Sequence, residues 1–183
     1  VWQHREQRII FSIINCHVAE KRLDLAIQWL ERTCKRYPDD PQLSSMLGCM
    51  YIQTGMIRAA EESFQAVERL MSPDSVTVLM NKGFMEFANG KFSNAMDAFD
   101  AVLSKDPMNV IAANNKSISE LYTGHLSKAI ETLEDFIRLD PSMNLDEILV
   151  FNLCTLYELE GDSSQEKKHV INALVRKYRG DDF

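Results

Sequence analysis

Glycine, proline, cysteine and histidine are all scarce in this chain, and each scarcity closes off a kind of chemistry. Seven glycines and five prolines are spread over 183 residues, so no glycine-rich loop is present to cradle a phosphate. The four cysteines, Cys16, Cys34, Cys49 and Cys154, stand at no metal-ligand or redox-motif spacing. They read as reduced thiols, with Cys16 and Cys154 serving as small hydrophobes in apolar helical stretches. His4, His17, His125 and His169 are scattered, and none has a second histidine or cysteine three or four residues away. No Ser, Cys or Thr sits in a nucleophile motif. The chain is therefore expected to be no enzyme, with no catalytic residues, no metal and no cofactor.

Long apolar runs are missing as well. None approaches the roughly 20 residues that span a bilayer, and no signal peptide is visible, so direct membrane insertion is not expected. Positive charge is thin. Lys and Arg number 20 against 27 Asp and Glu, a net charge of −7. Residues 41–161 hold eight basic against seventeen acidic side chains, which reads as a solvated outer face. No basic stripe is dense enough to replace counterions on phosphates, which argues against nucleic acid. The chain opens on Val1 rather than Met, and the expectation is a piece of a longer chain. The apolar front, Trp2 with Ile9, Ile10, Phe11, Ile13 and Ile14, is then expected to be covered by residues ahead of Val1, or else by a partner.

What the chain does have is a period. Prolines recur at Pro38, Pro73, Pro107 and Pro141, alanines at Ala26, Ala60, Ala95 and Ala129, and glycines at Gly55, Gly90 and Gly124. Each alanine is followed four residues later by a large apolar side chain: Leu30, Phe64, Phe99 or Leu133. The common step is about 34 residues, that of a helix–turn–helix unit. Within each unit two amphipathic helices, A then B, are legible from apolar residues at three- and four-residue spacing. The glycines end helix A, where positive φ is needed. The prolines follow helix B, which they cannot continue.

Residues Leu47-Gly48-Cys49-Met50-Tyr51, with Ala60 and Phe64, fit the tetratricopeptide pattern L-G-x-x-Y…A-x-x-x-F. The expected fold is an all-α, right-handed α-solenoid of about five such pairs forming a single domain over residues 1–183. The repeats are about 7–40, 41–75, 76–109, 110–143 and 144–179, the last degenerate and capping. Its final helix, near Ser163–Tyr178, is polar through Gln165, Glu166, Lys167, Lys168 and His169, as the end of a stack requires, with its N-cap expected at Asp162-Ser163-Ser164. The Arg179-Gly180-Asp181 tripeptide reads as coincidence. Glu61-Glu62 and Glu134-Asp135 on helices B read as a solvated face rather than a catalytic pair.

The register brings one polar series into line. Asn81, Asn115 and Asn152 each hold the sixth position of a helix A. Amides along a groove offer donors and an acceptor to an extended peptide backbone. Asn15 and Asn114 would add to the series, and Met80, Phe84 and Tyr122 would supply apolar or stacking surface between its rungs. These residues are the candidate peptide-binding groove. The alternative is that they bond neighbouring helices or water and tune the shape of the stack. The carboxylate clamp that holds chaperone tails needs basic residues in register. Ser45, Cys49, Asn81, Ile111 and Asn115 stand there instead, which disfavours a co-chaperone.

Three segments carry a more particular likeness: Val78-Leu79-Met80-Asn81, Ala112-Ala113-Asn114-Asn115, and Leu149-Val150-Phe151-Asn152-Leu153-Cys154-Thr155-Leu156-Tyr157-Glu158-Leu159-Glu160. With them the chain resembles the C-terminal tetratricopeptide region of the subunit 12 family of the trafficking protein particle (TRAPP) complex. Lys177 to Phe183 departs from that family. The resemblance implies a non-enzymatic subunit of a vesicle-tethering complex, acting between endoplasmic reticulum and Golgi and in autophagy. Its partners would be other subunits, with no small-molecule substrate. Its place would be the cytoplasm, in peripheral association with Golgi or intermediate membranes. The alternatives are a generic adaptor, as in a ubiquitin ligase or kinetochore assembly, or a regulatory domain of a larger enzyme.

Overall fold

The computed structural model describes residues 2–161 and 164–178. All regular structure among them is helical, in two compact units. The first unit, Val1–Asn89, contains α1 (Trp2–Ala19), α2 (Leu23–Arg36), α3 (Pro41–Gln53), α4 (Ile57–Leu70) and α5 (Val76–Ala88). The second, Gly90–Phe183, contains α6 (Phe92–Lys105), α7 (Val110–Tyr122), α8 (Leu126–Leu139), the single turn α9 (Pro141–Asn144), α10 (Glu147–Glu160) and α11 (Ser164–Tyr178). Helices α1, α3, α5, α7 and α10 are the A members of the pairs; α2, α4, α6, α8 and α11 are the B members. The N-cap expected at Asp162 and Ser163, and the Arg-Gly-Asp tripeptide, lie outside the described residues.

The A-to-B turns follow from backbone chemistry. Gly55 and Gly124 adopt φ of 74° and 83°. At the first, the Gly55 N–H bonds the Ile52 carbonyl and the Met56 N–H bonds the Tyr51 carbonyl, at 3.0 and 2.8 Å. At the second, Gly124 and His125 bond Leu121 and Glu120 in the same way. This paired closure satisfies carbonyls that would otherwise be orphaned at a helix end. One repeat earlier the same closure is made by Lys21, whose φ is +58°, with bonds from Lys21 to Val18 and Arg22 to His17. A lysine thus holds the left-handed position that glycine holds in later repeats.

The B-to-A loops use a different device. Side chains of Asp40, Ser75, Asn109 and Asp146 accept backbone N–H groups at the starts of α3, α5, α7 and α10, satisfying free donors there. No side chain caps α2, α4, α6 or α8; each begins directly after its A-to-B turn. Asp140 caps α9 with Pro141 at its first turn, just as Asp40 and Pro41 start α3. That helix stops after four residues, and a second cap at Asp146 starts α10. Asn144 lies buried at the break and donates to the Phe136 carbonyl at 2.8 Å.

The recurring alanines Ala26, Ala60, Ala95 and Ala129 are fully buried, and Leu30, Phe64, Phe99 and Leu133 are buried beside them. In the first unit α3 packs on α2 and α4, and Phe64 joins Leu43, Leu47, Tyr51 and Ala60 in one cluster. Gly48 lets the Phe64 ring approach: a Cβ there would sit 2.3 Å from Phe64 Cε1. In the second unit Leu133, Ile137, Leu145, Leu149 and Leu153 form the centre of the core. At the glycine's place in that unit stands Ser117, fully buried, its Oγ donating to the Ala129 carbonyl at 2.8 Å.

Candidate functional site

The A helices of the second unit carry the most exposed apolar surface in register. On α7, Ile111, Asn115, Ile118 and Tyr122 recur at four- and three-residue steps, so they share one stripe. On α10, Ile148, Asn152, Thr155 and Leu159 do the same, with Phe151 beside them. Phe151, Ile148 and Tyr122 are 70%, 64% and 62% exposed, and Ile111 and Leu159 are also exposed. Single exposed apolar side chains are ordinary, whereas a shared face of them marks a contact surface. The Tyr122 ring stacks on Phe92 with centroids 4.7 Å apart, which holds it in place.

The candidate asparagines fall into different environments. Asn152 Nδ2 donates to Asn114 Oδ1 at 2.7 Å, joining α10 to α7 across the apolar stripes. Asn115 donates to the Ile111 carbonyl of its own helix at 2.8 Å. Asn81 is 4% exposed on α5; its Oδ1 accepts from Ser45 Oγ of α3 at 2.7 Å, and its Nδ2 has no hydrogen-bond partner. Met80 is buried beside it, Phe84 is half-buried, and Asn15 is exposed on α1. The geometry therefore brings Asn114 to Asn152 and Asn81 to Ser45, each pair linking two neighbouring A helices.

The joints between repeats carry chemistry that the sequence reading did not name. In α3 and α10 the eleventh position faces the preceding helix B. Tyr51 Oη donates to Glu31 at 2.6 Å, and Tyr157 Oη donates to Glu134 at 2.8 Å. Burial first, then the carboxylate that holds the hydroxyl proton, pushes both phenols well above their ordinary value. Glu134 also pairs with Arg138 at 2.5 Å, so this carboxylate is a joint and not only a solvated residue. On α7 the eleventh position holds Glu120 instead. Its side chain is fully buried, its Oε2 accepts from Thr132 Oγ1 at 2.7 Å, and its Oε1 faces the Lys128 ammonium at 3.5 Å. With no tyrosine at hand, Asp100 on α6 is met by Lys116 of α7, 2.5 Å away. The signal for these pairs was available in the repeat register, by comparing Tyr51, Glu120 and Tyr157.

No group of histidine, cysteine, aspartate and glutamate suited to a metal occurs among the described residues. Burial, aided by the nearby Asp40 charge, pushes the Cys34 thiol up to about 11, and burial alone takes Cys49 to about 11, so neither is an activated nucleophile.

Residues 45–110 match the tetratricopeptide repeat family model. A TPR protein from the thermophile Thermus thermophilus superposes with a TM-score of 0.75 at 17% identity, over 96% of this chain and 92% of that one. The chain has the tetratricopeptide-type helical fold. All regular structure among the described residues is helical, as the period predicts. The resemblance to trafficking protein particle complex subunit 12 also holds. The human protein of that name is 35% identical over 189 aligned positions, which cover 100% of this chain and 26% of the relative. The mouse protein is 35% identical over the same extent, 24% of its length. The chain spans about a quarter of the length of these relatives. The tetratricopeptide match and these relatives point to a non-catalytic scaffold with a role in protein interaction. No helix among the described residues is long and apolar enough to cross a membrane.

Proposed function

We propose that this chain is a protein-interaction subunit of a vesicle-tethering complex of the TRAPP type, serving transport between endoplasmic reticulum and Golgi and autophagy. It works from the cytoplasm in peripheral association with those membranes, and its partners are other subunits of the complex. The observation that carries this reading is the 35% identity over the whole chain to subunit 12 of the trafficking protein particle complex. A partner segment lies along the A-helix face of α7 and α10. Phe151, Ile148, Ile111 and Tyr122 supply the apolar contact, and Asn115, with the Asn114–Asn152 pair, supplies polar rungs. Asn81, Met80, Phe84 and Asn15 belong to the corresponding helices of the first unit. Asn81, being buried, serves there through the helix pairing with Ser45. The complex as a whole would act as an exchange factor for a Rab-type GTPase, and this chain would contribute contacts rather than that chemistry.

The test is affinity purification of the tagged chain from cells, with mass spectrometry of what accompanies it. Other tethering subunits should be recovered in stoichiometric amounts, and a Phe151→Asp, Tyr122→Asp variant of unchanged helicity should lose them. Recovery of chaperones or ligase subunits without any tethering subunit would overturn the assignment. Undiminished recovery by the double variant would overturn the placement of the face.

A further inference from the structure

Among the described residues Glu120 is the only carboxylate that is fully buried. It ties α7 to α8 through both of its ends. Its main-chain carbonyl accepts from the His125 N–H and from Thr123 Oγ1, both at 2.9 Å, in the turn between the two helices. Its side chain reaches α8 itself, where Oε2 accepts from the Thr132 hydroxyl. The other oxygen, Oε1, is sealed from solvent and has no hydrogen bond. What faces it is the Lys128 ammonium at 3.5 Å. A buried carboxylate is costly unless a counter-charge stands against it, so this ammonium supplies the electrostatic half of the joint.

The two residues on α8 are matched to the glutamate. Where the eleventh position is Tyr51, the residues eight and twelve places on are Ala59 and Ser63; after Glu120 they are Lys128 and Thr132. Ser63 donates to the Ala59 carbonyl of its own helix, whereas Thr132 crosses to α7. The exposure of the pair is also lopsided. The Lys128 side chain is 57% exposed and that of Glu120 0%. In Lys116–Asp100 and Lys168–Glu158 the lysine is the covered partner and the carboxylate the wetter one. In Lys167–Glu160 both are about a third exposed. An acyl donor can therefore reach Lys128, and water cannot take its place against Glu120.

We propose that Lys128 is a site of acetylation, and that its modification loosens α7 from α8. The acyl donor is an acetyl thioester. A bond forms between Lys128 Nζ and the acetyl carbon, and the carbon–sulfur bond breaks. Of the two protons that leave the ammonium, one goes to the departing thiolate and one to solvent. The product is a neutral amide, so Glu120 loses its counter-charge. It then either stays buried as an unpaired anion or takes up a proton, and both cost stability at this joint. The C-terminal half of α7, which carries Ile118 and Tyr122, is the part released. Any effect on partner binding rests on the α7–α10 face proposed above; the loosening of the two helices does not.

Incubation of the chain with acetyl-coenzyme A, followed by peptide mapping, should show Lys128 modified well ahead of the covered Lys116. The consequence is read on three forms of the chain: unmodified, with acetyl-lysine installed at 128, and with acetyl-lysine installed at 105. Lys105 is an exposed residue of α6 whose acetylation changes the net charge equally. Acetylation at 128 should lower Tm by at least about 4 °C. It should also speed amide hydrogen exchange in α7 and α8 at least about tenfold, with exchange in α2 and α3 unchanged. Acetylation at 105 should do neither. In a Glu120→Gln background, where no buried charge needs a partner, acetylation at 128 should lose most of its effect. Lys128→Arg, which keeps the charge, should melt with the parent. Four results overturn the proposal. They are Lys128 left unmodified by the thioester, equal behaviour of the two acetylated forms, a loss undiminished by Glu120→Gln, and a Lys128→Arg chain that melts as low as the one acetylated at 128.

Discussion

Replacing Gly48 with alanine should destabilise the first unit by about 2 kcal/mol, although alanine is the better helix former. Gly48 is the eighth residue of α3, well inside the helix, where exchanging glycine for alanine ordinarily gains about 1 kcal/mol. The added Cβ, however, would lie 2.3, 2.6 and 2.9 Å from three carbons of the Phe64 ring. Ordinary van der Waals contact begins about 1 Å farther out. The ring cannot yield that distance freely, because Phe64 is 4% exposed and belongs to the cluster of Leu43, Leu47, Tyr51 and Ala60. Overpacking of this kind costs about 3 kcal/mol at the upper end of its usual range, leaving about 2 against the propensity gain. For a domain of this size that is about 4–8 °C in Tm. The assay is thermal and urea unfolding followed by far-UV circular dichroism. A Phe64→Leu background, which shortens the facing side chain, should recover a substantial part of the loss in a double-mutant cycle. Gly55→Ala supplies the contrast. Nothing lies within 4 Å of its Cβ, yet its φ of 74° penalises any side chain by about 1 kcal/mol. A Gly48→Ala protein as stable as the parent, or a cost untouched by Phe64→Leu, would refute the close-approach argument.

The same geometry makes further predictions. Lys21→Gly should stabilise the chain by about 0.5 kcal/mol in urea unfolding, since it relieves a left-handed lysine at the cost of some unfolded-chain entropy. Tyr51 and Tyr157 have phenols raised above their ordinary value of 10.0, so folding favours their protonated form. That contribution is fully present below pH 10 and is lost as pH rises from there through the folded-state values. Tm should therefore fall on the alkaline side, and less steeply in a Tyr51→Phe, Tyr157→Phe protein. With a thiol reagent at pH 8, exposed Cys16 should react first. Cys34 and Cys49, half-buried and raised to about 11, should follow more slowly. Modification of Cys49 as fast as Cys16, read by peptide mapping, would contradict the raised thiol.

Much of the fold was legible because its punctuation is local. Gly55, Gly90 and Gly124 reveal left-handed turns without reference to any distant residue, and Pro38, Pro73, Pro107 and Pro141 mark where a helix B has ended. Lys21 escaped because its composition gives no hint of positive φ; only counting one repeat back from Gly55 finds it. Glu120 escaped for a related reason. A glutamate in an acidic chain reads as solvated, and its burial depends on Thr132 and Lys128, which sequence spacing does not bring to mind. The asparagines share a register, yet Asn81 packs inside while Asn152 reaches Asn114. The second capped start at Asp146 adds three residues to the step from Asn115 to Asn152. The period thus locates residues on helices, while their partners depend on what each neighbouring repeat supplies.

The repeat joints are alike in position and unlike in physics, and this sets how the scaffold responds to its medium. At α2–α3 and α8–α10 a phenol hydroxyl meets a carboxylate, a short-range contact that dissolved ions barely touch. At α6–α7 the corresponding carboxylate, Asp100, is held by Lys116, and Asp100 is more than half exposed, so mobile ions screen the pair. Rising ionic strength therefore loosens one joint selectively. Of these three joints, the ionic one at α6–α7 therefore answers to salt, and the phenolic ones at α2–α3 and α8–α10 answer to alkali.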